Sequence, residues 1–114
     1  YQLLRGEPAI NAVLDDFYRH TLGAHWPAER KWVDLAYCGM PFPFTEIAAP
    51  EFEIRLQWSL DDLIAYVGTW SATRRCIQAE GRDPMPTLRE RLAPVWGSGE
   101  REIVWPIILK AGRV

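Results

Sequence analysis

The segment REIVWPIILKAGRV, residues 101–114, constrains the fold more than any other part of the chain. Ile103, Trp105, Ile107 and Leu109 alternate with Val104 and Ile108, so an extended strand here is apolar on both faces and needs cover on both. One other stretch has a clear strand pattern. In FEIRLQW, residues 52–58, Phe52, Ile54, Leu56 and Trp58 alternate with Glu53, Arg55 and Gln57, which predicts a half-buried strand whose charged face suits a sheet edge. Two strands do not make a stable sheet by themselves. The opening YQLLRG reads as the tail of an apolar strand entering a loop, so the missing sheet partner is expected in sequence upstream of Tyr1.

Helices fill most of the rest. Pro8 suits a first turn, and Ile10, Val13, Leu14, Phe17, Tyr18 and Leu22 recur at spacings of three and four up to Gly23. A shorter helix is expected from about Pro27 to Tyr37, ending near Gly39. The stretch GMPFPFTEIAAPEF holds Pro41, Pro43 and Pro50, which predicts an extended linking loop. Ser59, with Asp62 three residues on, starts a long helix that carries Leu60, Leu63, Ile64, Val67, Trp70 and Ile77 towards Gly81. Asp83 is expected to cap a last helix through Leu88, Leu92 and Trp96, which Pro94 ends early or bends. WGSGE, residues 96–100, follows a helix and reads as a turn.

Composition excludes several functions. The chain of 114 residues has a net charge of −2, so it offers no basic face to a nucleic acid. Cys38 and Cys76 have no CxxC or Cys/His ligand spacing, which argues against a disulfide scaffold and a zinc site and fits a reducing cytoplasm. No apolar run is long enough to span a bilayer, so no membrane partner is expected. Asp15 with Asp16 and Asp61 with Asp62 are adjacent on helices and point about 100° apart, so neither pair converges on a substrate or metal. No GxSxG motif supports a hydrolase.

DDFYRHTLGAHWPAERKWVD, MPFPFTEI, LQWSLDDLIAYVGTWSATRR and VWPIILKAGRV together resemble the C-terminal region of class I S-adenosylmethionine-dependent methyltransferases of the type 11 and trans-aconitate kind, over nearly the whole chain. The resemblance implies an α/β fold, α+β for the fragment alone. Residues 1–114 would be the C-terminal part of a Rossmann-like methyltransferase fold, with strands at 52–58 and 102–110 and about four helices. Residues 52–58 would correspond to the family's sixth strand, and the last segment to the seventh, antiparallel between the fifth and sixth. Pro106 strains this, because a proline in a central strand requires a bulge.

The family binds its methyl donor with a glycine-rich loop after the first strand and an acid ending the second. Neither occurs in this chain, so the donor-binding half is expected to be absent and the chain by itself not competent for methyl transfer. S-adenosylmethionine is implied for the parent protein, with no cofactor or metal expected on this chain and no catalytic side chain assigned.

The resemblance also implies that the retained part shapes the acceptor pocket for a small molecule. Its candidate lining is Tyr1, His25, Trp26, Phe42, Phe44, Trp70, Ser71 and Arg74, with Ser71 hydrogen-bonding the acceptor and Arg74 facing a carboxylate. Each has a plainer reading: Trp70 in the core, Ser71 a packing residue, Arg74 a solvated helix-end cation, His20 exposed, and His25 in a turn. The competing function is a small binding or oligomerisation module, dimerising through the exposed strand edge.

Overall fold

Strand β3 (Arg101–Ile107) carries Ile103 and Trp105 into the core, with β2 (Phe52–Trp58) antiparallel to it in unbroken register from Phe52 opposite Ile107 to Trp58 opposite Arg101. The computed structural model describes residues 2–114. On the other edge of β3, Arg5 N–H donates to the Val104 carbonyl at 2.7 Å and Val104 N–H donates to the Arg5 carbonyl at 2.8 Å. The β3 strand therefore lies between β2 and residues 2–5, so a partner expected only upstream of Tyr1 is supplied in part by the chain itself. In an antiparallel strand, residues 104 and 106 turn their backbone polar groups to the same side. The missing N–H of Pro106 thus faces residues 2–5 and leaves the β2 ladder intact. The expected irregularity is there: Gln2 N–H, not Leu3 N–H, donates to the Pro106 carbonyl, at 2.9 Å.

Helices cover one face of β3. Helix α1 (Pro8–Asp16) contributes Ile10 and Leu14, α3 (Leu60–Gly68) contributes Leu63, Ile64 and Val67, and α5 (Met85–Trp96) contributes Leu88, Leu92 and Trp96. Their cover stops short of β2. Ile54 and Leu56 lie opposite Trp105 and Ile103 on the same face, yet they are 40% and 43% exposed and Phe52 is 50% exposed. This corrects the half-buried reading of residues 52–58, because strand alternation fixes which side chains share a face but not whether a helix lies over it.

Other boundaries move for local reasons. The first helix opens into a π-helical turn over Phe17–Thr21, closed by Leu22 N–H on the Phe17 carbonyl at 3.0 Å. A 3-10 turn, Gly23–His25, follows. Helix α2 is only Arg30–Asp34, because Ala36 and Tyr37 take left-handed φ of 53° and 60° and end it. The long helix splits into α3 and α4 (Ser71–Glu80). At the break the Thr69 hydroxyl donates to the Tyr66 carbonyl at 2.6 Å and the buried Thr73 hydroxyl to the Val67 carbonyl at 2.8 Å, which satisfies carbonyls at the end of α3. Ser59 and Asp62 form the reciprocal cap expected of them. Helix α5 runs two residues past Pro94, and Asp83 accepts from Met85 N–H at 2.9 Å.

The proline-rich segment also departs from a simple loop. Thr45–Ile47 forms β1, antiparallel to β4 (Ala111–Arg113), so the expected 102–110 strand ends at Ile107 and pairing resumes at Ala111. Gly112 permits the pairing. A Cβ there would lie 2.6 Å from Phe44 Cβ and 2.7 Å from Phe42 Cε1. Gly112→Ala is therefore expected to cost about 1–3 kcal/mol of overpacking strain and to release the β1–β4 arm. Hydrogen exchange should rise at residues 45–47 and 111–113 and stay unchanged in α3 and α5.

Candidate functional site

The π turn reorganises the chain around Tyr18. A carbonyl freed by the widened turn, that of Tyr18, accepts from the Trp26 indole N–H at 3.1 Å. The Tyr18 hydroxyl donates to Asp34 Oδ1 at 2.7 Å and accepts from Arg30 Nε at 2.7 Å. Arg30 Cζ lies 5.6 Å from the Tyr18 ring centre and 5.1 Å from that of Trp26. Burial, and then the hydrogen bond to Asp34, raise the Tyr18 phenol to about 12, with Arg30 opposing.

From Tyr18 a belt of aromatic contacts crosses the molecule. Ring centres are 4.6 Å apart for Tyr18–Trp26, 5.5 Å for Trp26–Trp70, 5.8 Å for Trp70–Tyr66 and 5.6 Å for Tyr66–Trp105, where the Trp105 indole N–H donates to the Tyr66 hydroxyl at 3.2 Å. A cleft of about 140 Å³ opens on this belt, lined by Gln2, Leu3, Leu4, Trp26, Arg30, Tyr66, Trp70 and Ser71. Gln2 and Leu3 also border a wider recess of about 350 Å³, which reaches Arg5, Asp15, Tyr18 and Asp34. Arg5 grips Asp15 with two hydrogen bonds, of 2.5 and 3.1 Å, which hold that carboxyl below its ordinary range and tie α1 to the strand segment.

Of the residues singled out from sequence, the structure brings Trp26, Trp70 and Ser71 together in this cleft. Trp70 combines both of its readings: it packs on the core with one side and lines the cleft with another. Phe42 and Phe44 are not brought there; they meet edge to face, ring centres 5.8 Å apart, over Gly112 in the β1–β4 arm. Arg74 lies on an exposed face of α4, outside the residues lining either recess. His20 is exposed, and His25 faces Glu80 on α4 at 3.6 Å. Tyr1 lies outside the described residues. Arg30, Tyr66 and Gln2 were missed. Tyr66 follows the core pattern of its helix and Arg30 sits in a charged run, so only the fold distinguishes them.

No family model matches the chain. A solved structure described as "a Putative Type II Methyltransferase from Anaeromyxobacter dehalogenans" is 38% identical and superposes with a TM-score of 0.91 over 99% of this chain, which spans 49% of that one. A protein of Dictyostelium discoideum named a putative methyltransferase is 28% identical over 81 residues, which are 70% of this chain and 31% of the relative. Both relatives are named as methyltransferases. The fold described above matches part of that solved structure, and the chain spans less than half the length of either relative. No helix among the described residues is long and apolar enough to cross a membrane.

Two outcomes follow from the geometry. Because the folded Tyr18 phenol holds its proton above the ordinary value of 10.0, its contribution to stability is present below pH 10 and lost as pH rises towards about 12. The difference in unfolding free energy between wild type and Tyr18→Phe should fall across that window in denaturant titrations. Trp96 is fully buried, so Trp96→Ala should cost about 3–5 kcal/mol, and half-buried Trp70→Ala measurably less in the same experiment.

Proposed function

We propose that the chain is the acceptor-side part of a class I S-adenosylmethionine-dependent methyltransferase, of the trans-aconitate kind, acting on a small molecule. The observation that carries this reading is the near-complete superposition on a methyltransferase, joined to an aromatic cleft that one cation borders. In the proposal the donor is held by the part of the protein that corresponds to the relatives' remaining length. Among the described residues no glycine-rich loop leads from a strand into a helix. Gly97 and Gly99, at φ of 72° and 79°, turn the chain from α5 into β3. The proposal accordingly assigns no donor cradle to the described residues of this chain.

Its own residues bind and orient the acceptor. Trp26, Tyr66 and Trp70 bury apolar surface and exclude water, and alignment of this kind lowers the barrier of a direct transfer. Ser71 offers a hydroxyl at the cleft. Arg30, not Arg74, is the cation for an acceptor carboxylate, because Tyr18 engages its Nε and holds the guanidinium while the terminal nitrogens serve the ligand. A second reading is favoured by the open apolar strip of Phe52, Ile54 and Leu56 on β2, which suits oligomerisation through that edge.

Labelled methyl transfer from S-adenosylmethionine to a panel of small di- and tricarboxylic acids, using the intact protein, tests the first reading. Arg30→Ala should raise the acceptor KM roughly 10- to 100-fold, the worth of a charged hydrogen bond, while Arg74→Ala stays near wild type. A protein that neither turns over any acceptor nor gains thermal stability with S-adenosylhomocysteine would defeat the methyltransferase reading. A dimer in sedimentation that Ile54→Lys dissociates would support the module.

A further inference from the structure

Away from the aromatic cleft, the fold gathers three side chains that sequence spacing keeps apart. Cys76 and Glu80 are four residues apart on α4 and so share one face of it. His25, 51 positions before Cys76, ends the 3-10 turn that packs against α4. His25 Nε2 lies 3.6 Å from Glu80 Oε1, and Cys76 Sγ lies 3.4 Å from Glu80 Oε2. Ligand atoms of all three fall within 4.8 Å of one another.

The two short separations run to different oxygens of Glu80, so a turn of that exposed carboxylate is needed before one oxygen serves with both neighbours. With metal bonds of about 2.3 Å to sulfur and 2.0–2.2 Å to nitrogen and oxygen, a tetrahedral zinc site places its ligand atoms about 3.4 to 3.6 Å apart. The three ligand atoms lie within 4.8 Å of one another, so the site requires the remaining edges to shorten by about 1 Å. The His25 backbone is held beside α4: its N–H donates to the Leu22 carbonyl at 2.8 Å, and its carbonyl accepts from Arg75 Nη1 at 3.4 Å. Cys76 is fully buried and the His25 side chain 15% exposed, while the Glu80 side chain, 56% exposed, keeps one side open to water.

We propose that His25, Cys76 and Glu80 form a binding site for a divalent transition-metal ion of the zinc class, with water as fourth ligand. One sulfur, one imidazole nitrogen and one carboxylate suit zinc or cobalt(II) and not the all-oxygen shells of magnesium or calcium. Binding replaces the thiol proton, which passes to solvent, with the metal–sulfur bond. Arg82 and Asp83, which both act electrostatically on Cys76, have opposite charge and oppose one another at the site. The ion clips the 3-10 turn to α4 and so fixes the next residue, Trp26, in the wall of the cleft. The proposal stands independently of the methyltransferase reading.

Competition of the reduced protein with a chromophoric chelator for zinc, and titration with cobalt(II), test it. The expected result is one equivalent bound, with thiolate-to-cobalt charge-transfer absorption, and affinity lowered by at least about 100-fold in Cys76→Ala. Because Cys76 is buried and its replacement also disturbs packing, His25→Ala and Glu80→Gln are measured alongside and should weaken binding comparably. Cys38→Ser, which alters the exposed thiol, should bind as wild type. The proposal is overturned if wild type takes up no stoichiometric metal, if His25→Ala binds like wild type, or if the charge-transfer band disappears in Cys38→Ser.

Discussion

The structure depends on β3 being held on both edges. The ladder to β2 and the paired hydrogen bonds between Arg5 and Val104 fix the strand in the middle, and Ile103 and Trp105 then nucleate the core under α1, α3 and α5. A backbone held on both sides has no free polar groups to strand when its apolar face is covered. The bidentate Arg5–Asp15 contact extends this order to α1, because the residue that closes the outer edge of β3 also grips the helix beside it. Pro106 is tolerated because its missing donor faces the irregular edge.

Both walls of the cleft arise where a helix fails to continue. At Phe17–Thr21 the π turn frees the Tyr18 carbonyl, and the Trp26 indole takes it. At Thr69 and Trp70 the interruption between α3 and α4 turns Trp70 from a strictly interior position towards the opening. Each interruption is satisfied locally by a side-chain donor, so neither leaves a buried polar group unpaired. The aromatic rings then link the two interruptions into a continuous surface, with Arg30 stacked at one end and Trp105, anchored in the sheet, at the other.

Much of the framework was legible. The Ser59–Asp62 cap and the turn at residues 96–100 rest on contacts within a few positions and appear as read, whereas residues 52–58 form their strand without the half-burial expected of it, and Asp83 sits one residue before the cap position, which Pro84 takes. The site was legible only in part. Trp26, Trp70 and Ser71 line one cleft, whereas Phe42 and Phe44 pack in the β1–β4 arm, where Gly112 has no side chain to keep them off. Arg30 was invisible because a cation among Glu29, Lys31 and Asp34 has the appearance of a solvated face until Tyr18 and Trp26 are folded against it.

By itself the sequence determined the strands' apolar faces, the helix starts and the likeness to methyltransferases, since all of these are written in local periodicity and short motifs. Tertiary structure alone decided which apolar face stays open on β2, where helices break, and which distant residues meet. His25 joins Cys76 and Glu80, and Arg30 joins Tyr18, because those encounters depend on how elements pack across the chain. Periodicity along one element carries no information about that packing.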